Sequence, residues 1–201
     1  MSITIKSVKT KEGEAFSRSV NGANDVVAKV GWFGKYPASE GKPPVSVASV
    51  AILQERGSPK QNIPPRPFLK PTIDKKEDSW RNQIVKGVRA VLRGATTLEN
   101  VMEIIGQTAK ADIQKTIARV DSPALAESTI KARMRKAGLN TGDAPKYGKK
   151  YNFSSIKRKA TTGKGNINLI DKPLVDTGYL FGSIINIVES GGKSTDIAVK
   201  K

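Results

Sequence analysis

Residues 73–92 read IDKKEDSWRNQIVKGVRAVL. The apolar residues Ile73, Trp80, Ile84, Val88, Val91 and Leu92 fall at offsets 0, 7, 11, 15, 18 and 19 from Ile73. Those offsets lie on one stripe of a 3.6-residue period, so the spacing predicts a helix, with Gly94 as its stop. Downstream, Thr96-Thr97-Leu98-Glu99 has the form of a capping box, in which a hydroxyl and a carboxylate satisfy orphan amides reciprocally. It predicts a second long helix to about Ala118, with Leu98, Val101, Met102, Ile105, Ala109, Ile113 and Ile117 on one face. Ser122-Pro123 reads as a further start, Ser as cap and Pro as first residue. That helix carries Leu125, Thr129, Ala132 and Arg133 and runs to about Lys136.

Upstream, residues 58–71 hold Pro59, Pro64, Pro65, Pro67 and Pro71. Such density argues against helix and central strand, yet Ile63, Phe68 and Leu69 predict a segment packed down onto a core. Val45–Arg56 reads as a short helix stopped by Gly57, and Gly34–Pro44 as a loop. Val26–Phe33 is rich in strand formers, residues 9–25 read as a loop, and Ile3, Ile5 and Val8 give residues 2–8 the alternation of a strand. At the other end, a helical turn is expected at 177–183 and a strand at Ile184–Val188. A Gly191-Gly192 turn and a last strand at Thr195–Val199 then complete a hairpin. The order predicts an α+β fold. A small antiparallel sheet from N- and C-terminal strands packs against about three helices, all in one domain over 1–201, with a long basic loop at about 137–172.

Composition narrows the chemistry. The 201 residues include no Cys and no His, which removes zinc fingers, iron–sulfur clusters and Ser–His–Asp or Cys–His catalysis. Acids are sparse and most fall on predicted helix surfaces or caps. Asp176 beside Thr177 reads as a helix cap, and Gly163-Lys164-Gly165 lacks the context of a phosphate-binding loop. No catalytic role, metal or cofactor is therefore expected. The start of the chain lacks the apolar core of an export signal, and no apolar run approaches the roughly 18 residues of a membrane span. A soluble protein made in a cytoplasm, with no membrane partner, is expected.

Lys and Arg number 35 against 18 Asp and Glu, a net charge of +17. The excess is concentrated: residues 131–164 hold eleven basic residues and the single acid Asp143. Tyr147, Tyr151 and Phe153 lie among them, so Lys146, Lys149, Lys150, Lys157, Arg158, Lys159 and Lys164 are candidates for sequence-blind contact with nucleic acid. The opposing reading is a solvated loop that meets a protein partner.

Two blocks bring in a family. Ile63-Pro64-Pro65-Arg66-Pro67-Phe68-Leu69-Lys70-Pro71 is similar to the signature Ile-Pro-Ala-Arg-Pro-Phe-Leu-Arg-Pro of the tail-completion and virion-morphogenesis proteins of long-tailed bacteriophages, departing at Pro65 and Lys70. Pro173-Leu174-Val175-Asp176-Thr177-Gly178-Tyr179-Leu180, with Ser183-Ile184, resembles the family's closing Pro-Leu-Ile-Asp-Thr-Gly-x-Leu-x-x-Ser-Ile block. Weaker likenesses lie between them. Ala48–Ser58 resembles a helix ending in an Asn-Glu-Phe-Gly-Thr-like turn, with Gln54 and Arg56 substituted. Ile105–Ile117 and Ser122–Ile130 resemble the family's next two helices. The resemblance spans roughly residues 47–188. It implies a structural virion protein of the neck or tail end that forms a homo-oligomeric ring, joins other neck, connector or tail proteins, and lets DNA pass. It also implies assembly contacts at Arg66, Pro67, Phe68, Leu69, Asp176, Thr177 and Gly178. The alternative from charge alone is a stand-alone nonspecific nucleic-acid-binding or packaging protein.

Overall fold

The computed structural model describes residues 14, 17, 26–37, 43–136, 172–176, 178–190 and 193–194. The expected strands at 2–8 and Thr195–Val199, the Gly191-Gly192 turn and nearly all of the basic loop lie outside these residues. The elements, in chain order, are β1 (Val27–Gly31), α1 (Val47–Arg56), α2 (Leu69–Leu92), α3 (Leu98–Arg119), α4 (Glu127–Lys136), α5 (Tyr179–Gly182), β2 (Ile185–Ser190) and β3 (Lys193–Ser194). A 3-10 turn at Pro59–Gln61 lies between α1 and α2. This is a small α+β fold, with five α-helices among the described residues where about three were expected. The described residues fall into two compact units.

The first unit takes in residues 14, 17, 26–31, 75–111, 185–190 and 193–194. Its sheet has the order β1-β2-β3 and is antiparallel throughout. Val27 pairs with Glu189 and Gly31 with Ile185, so a strand near the start of the chain is zipped to one near its end, as the sequence order implied. The Ser190↔Lys193 pair leaves two residues between β2 and β3, the spacing of a tight hairpin. An ion pair of 2.7 Å joins Lys29 to Glu189 across the paired strands.

The helical segments of this unit bury Val91, Val101 and Ile105, flanked by Ile84 and Leu98. A Cβ at Gly87 would lie 2.3 Å from Val101 Cγ1, so the two helices approach at a point where one residue must lack a side chain. Gly106 of α3 lies against Asn186 of β2, which sets helix on sheet. At the start of α3 the cap differs from the expected box. Thr97, not Thr96, is the cap, and its hydroxyl accepts the Asn100 amide at 3.3 Å. Glu99 instead accepts the Ser190 hydroxyl at 3.1 Å, tying the helix start to the end of β2. Its carboxyl is held below the usual range, first by its own backbone amide and then by the Ser190 and Thr97 hydroxyls, against the opposing effect of burial.

The second unit takes in residues 32–37, 43–74, 112–136, 172–176 and 178–184. Its largest fully buried side chains are Phe68, Ile117, Met134, Ile184 and Val47. Ile113 and Ile117 on α3, and Ile130 and Met134 on α4, are buried at i,i+4 spacing, as amphipathic helices require.

Three expectations are corrected. The proline-dense connector ends earlier than 71: α2 begins at Leu69 and takes Pro71 into its first turn, where a missing N–H costs no helical bond. The helix expected from Ser122-Pro123 begins at Glu127. The Ser122–Pro123 peptide is cis, and the carbonyls of Pro123 and Ala124 accept from the Arg66 guanidinium. Those carbonyls are turned to a distant side chain, and Ala126 supplies the first helical acceptor, to the Thr129 and Ile130 amides. Finally, Glu14 and Ser17, the two described residues of the expected 9–25 loop, have helical backbone.

Candidate functional site

The first block, Ile63–Pro71, is bent into place by short-range chemistry. Gly57 ends α1 at φ 72°, with its amide on the Leu53 carbonyl at 2.8 Å. A Cβ there would lie 2.7 Å from both the Ile63 carbonyl oxygen and the Pro65 nitrogen, so glycine is required twice over. Ser58 and Ile63 then exchange both backbone bonds, at 2.8 and 3.0 Å, and close a loop over the 3-10 turn.

Two side chains anchor the block. Arg66 is 5% exposed. Its Nε donates to the Pro123 carbonyl at 2.9 Å, and its other nitrogens donate to Gln54 Oε1 and the Ala124 carbonyl, each at 3.3 Å. Glu55 reaches across from α1 and accepts the amides of Phe68 at 2.7 Å, Leu69 at 2.9 Å and Lys70 at 3.0 Å. Those N–H groups open α2 and have no intrahelical partner, so one carboxylate caps a helix from thirteen or more residues away. Thr72 adds a bond from its hydroxyl to the Phe68 carbonyl and lies 2.6 Å from the Thr116 hydroxyl.

The second block is anchored from α4. Arg133 Nη1 donates to the Lys172 carbonyl at 2.7 Å and the Val175 carbonyl at 3.3 Å, and Nε lies 3.3 Å from Asp176 Oδ1. Lys136 stands 3.8 Å from the other Asp176 oxygen. The cap of α5 is Gly178 in the left-handed region, with no side-chain cap bond. The expectation that Asp176 caps this turn is therefore corrected: its carboxylate pairs with the guanidinium on α4. Tyr179 stacks on Tyr36 at 4.8 Å between ring centroids, and its hydroxyl donates to the Lys35 carbonyl at 2.9 Å. Burial, then Tyr179 and Asp176, pushes the Tyr36 phenol above its ordinary value.

Trp32 joins the two blocks. Its ring meets Phe68 edge-on at 5.8 Å, and its indole N–H donates to the Leu180 carbonyl at 2.7 Å. The strand expected at Val26–Phe33 ends at Gly31, and Trp32, the next residue, has its side chain engaged with both blocks.

The residues expected at assembly contacts thus separate. Arg66 and Phe68 are buried and their side chains are engaged within the unit, which corrects their assignment to a partner surface. Pro67 and Asp176 are exposed, Leu69 and Gly178 half-buried, and Thr177 lies outside the described residues. Lys146, Lys149, Lys150, Lys157, Arg158, Lys159 and Lys164 also lie outside them. Of the basic stretch, Lys131 pairs with Glu127 at 2.6 Å, while Arg133 and Lys136 face Asp176. Sequence reasoning missed Glu55, Trp32 and Tyr36. A carboxylate just before Gly57 and ahead of a proline-bound helix start was the one signal for Glu55.

Beside the tyrosine pair is a cavity of about 210 Å³, walled by α1, α4, the 172–176 turn and α5. Among the described residues no cluster of three acids could hold a metal ion, and no helix is long and apolar enough to cross a membrane. No family model, curated protein or solved structure matched the chain.

Proposed function

We propose that this chain is a structural, non-enzymatic protein of a tailed-bacteriophage virion, forming a ring at the head–tail junction through which DNA passes. The observation that carries this reading is the pairing of its two signature-like blocks. Ile63–Pro71 and Pro173–Leu180 are far apart in sequence, yet Trp32 touches Phe68 of one and Leu180 of the other. Such a pairing supports both blocks belonging to one assembly module. The partner-facing part of the module is then the outer side of the blocks, Pro67, Leu69 and Asp176, held by Arg66 and Phe68 from within. Repeated around a closed ring, a charge of +17 per copy gives a positive rim or channel, which attracts phosphate without reading sequence.

The test is fractionation of phage particles. The chain is expected in purified virions or tails at a fixed multiple per particle, alongside other neck, connector or tail proteins. Its absence from particles refutes the proposal. Absence together with steeply salt-dependent binding of the purified monomer to arbitrary duplex establishes the alternative, a stand-alone nucleic-acid-binding or packaging protein. That alternative draws on the eleven basic residues of 131–164.

A further inference from the structure

The last two turns of α2 carry a band of side chains that the fold leaves unmatched. Val85, Val88 and Leu92 are 44%, 36% and 43% exposed. At about 3.6 residues per turn they fall within about 60° of one another, and Arg89 and Lys86 lie within about the next 100°. Arg93 follows Leu92, held in the closing turn by its amide on the Ala90 carbonyl at 3.2 Å. All three cations are exposed, and all six residues belong to the first unit. Another side of the same turns is taken up by α3, which Gly87 meets at Val101. From Ser79 to Leu98 the chain holds four bases and no acid, and the fourth base, Arg81, is paired with Glu77. The first two acids of α3 are engaged: Glu99 accepts from Ser190 and Glu103 from Gln107. Lys86, Arg89 and Arg93 form no ion pair among the described residues, whereas Lys29, Lys70, Lys131 and Arg133 each do. The helix dipole favours cations at a C-terminal end, which accounts for Arg89 and Arg93 but not for three large aliphatic residues beside them.

We propose that this band docks an acidic amphipathic segment of a partner protein, one that presents Asp or Glu beside leucine-like side chains. Each half of the band excludes other occupants. A purely apolar surface would strip water from the three cations and return no opposite charge. Nucleic acid would match the cations through phosphate, but backbone contact leaves the aliphatic half against water. An anionic membrane takes helices with a broad apolar face, and the aliphatic strip here spans only about 60°, less than the 100° or so of such a face. The rest of this chain is a poor complement. A second copy carries the same +17, and residues 1–13, 137–171 and 195–201 each hold more bases than acids. An acidic amphipathic segment satisfies both halves together. Its carboxylates take the three cations, and its apolar side removes Val85, Val88 and Leu92 from water. The inference does not rest on the virion reading.

The experiment follows the backbone amide resonances of the full chain at about 0.15 M salt while a synthetic helical peptide, Leu on one face and Glu on the other, is added. Saturable shifts centred on residues 85–93 are expected. The same peptide with Gln for Glu is expected to bind about tenfold more weakly. So is a scrambled peptide that keeps the Glu content and loses the apolar face. The combined change Lys86→Gln, Arg89→Gln, Arg93→Gln is expected to erase the preference for the Glu peptide over the Gln one. Val85→Ser, Val88→Ser, Leu92→Ser together are expected to erase the preference for the intact peptide over the scrambled one. The six side chains are exposed, so both variants are expected to fold. Should either fail to, the peptide comparison on the unaltered chain decides. Equal binding of the Glu and Gln peptides, or of the intact and scrambled ones, overturns the proposal, as do shifts centred elsewhere. Larger shifts of residues 85–93 with mixed-sequence duplex DNA or with phosphatidylserine vesicles also overturn it, assigning the band to nucleic acid or to a membrane. Shifts of the same resonances with protein concentration alone would assign it to a second copy, and overturn it too. No outcome depends on virion assembly, so this test stands apart from the particle fractionation.

Discussion

A single carboxylate at position 55 closes the three amides that open α2. Removing it leaves those donors unmatched in a partly buried turn. Glu55→Ala is expected to cost about 1–3 kcal/mol in denaturant unfolding, and Glu55→Gln less, because an amide keeps one acceptor oxygen. Phe68 makes a different case. The family likeness implies a partner-facing role, and truncating a side chain in that role would harm assembly more than fold. At 0% exposure it is core, and Phe68→Ala is expected to cost about 3–5 kcal/mol, read as a lowered melting temperature. A variant of unchanged stability would return Phe68 to the surface role.

At the scale of elements, Gly87 sets helix propensity against packing. Propensity alone predicts that Gly87→Ala gains about 1 kcal/mol. The new methyl would overlap Val101, and the net result is expected to be a loss of about 1–3 kcal/mol. The double change Gly87→Ala, Val101→Ala is expected to lose less than the two single losses combined, which a double-mutant cycle measures. The start of α3 carries a pH dependence. The Glu99 carboxyl is depressed in the fold, so its contribution is present above the unfolded carboxylate value and disappears as pH falls through the folded one. Glu99→Gln is expected to flatten the acid side of the stability profile. The elements also show what sequence conveys and what it conceals. The stripe of α3 was legible because the 3.6-residue period is a local property, and Val101, Ile105, Ala109, Ile113 and Ile117 are buried as that period required. Helix α2 formed where its period placed it, but of its expected face Val91 alone is buried, Trp80 and Ile84 are half-buried, and Ile73, Val88 and Leu92 are exposed. The start of α4 was not legible, because the Ser-Pro cap signal is local and Arg66, far away in sequence, takes the carbonyls of Pro123 and Ala124. The capping role of Glu55 and the bridging role of Trp32 were hidden for the same reason: both act on residues a sequence window does not contain.

At the scale of the molecule, charge and fold are expected to be separable. Neutralising Lys149, Lys150, Lys157, Arg158 and Lys159 together should leave the melting temperature unchanged. If the stretch meets DNA, it should also flatten the salt dependence of duplex binding, by up to about 0.9 in log–log slope for each phosphate no longer neutralised. A large drop in melting temperature would show instead that these residues are part of the core.

The reach of Trp32 to Leu180 spans 148 residues, and β1 likewise finds its partner in β2. Translation therefore delivers the first half of each pairing long before the second. At about 5–20 residues per second, roughly 7–30 s separate the appearance of Trp32 and Leu180 at the ribosome. Neither unit can complete its described structure on a nascent chain that stops short of those residues. A prematurely terminated product would lack both the closing strand and the second block, and would be barred from any assembly that recognises the two blocks together. Under the proposed function, synthesis through Ser190 is thereby a condition of acquiring the assembly surface, a form of proofreading that needs no separate factor.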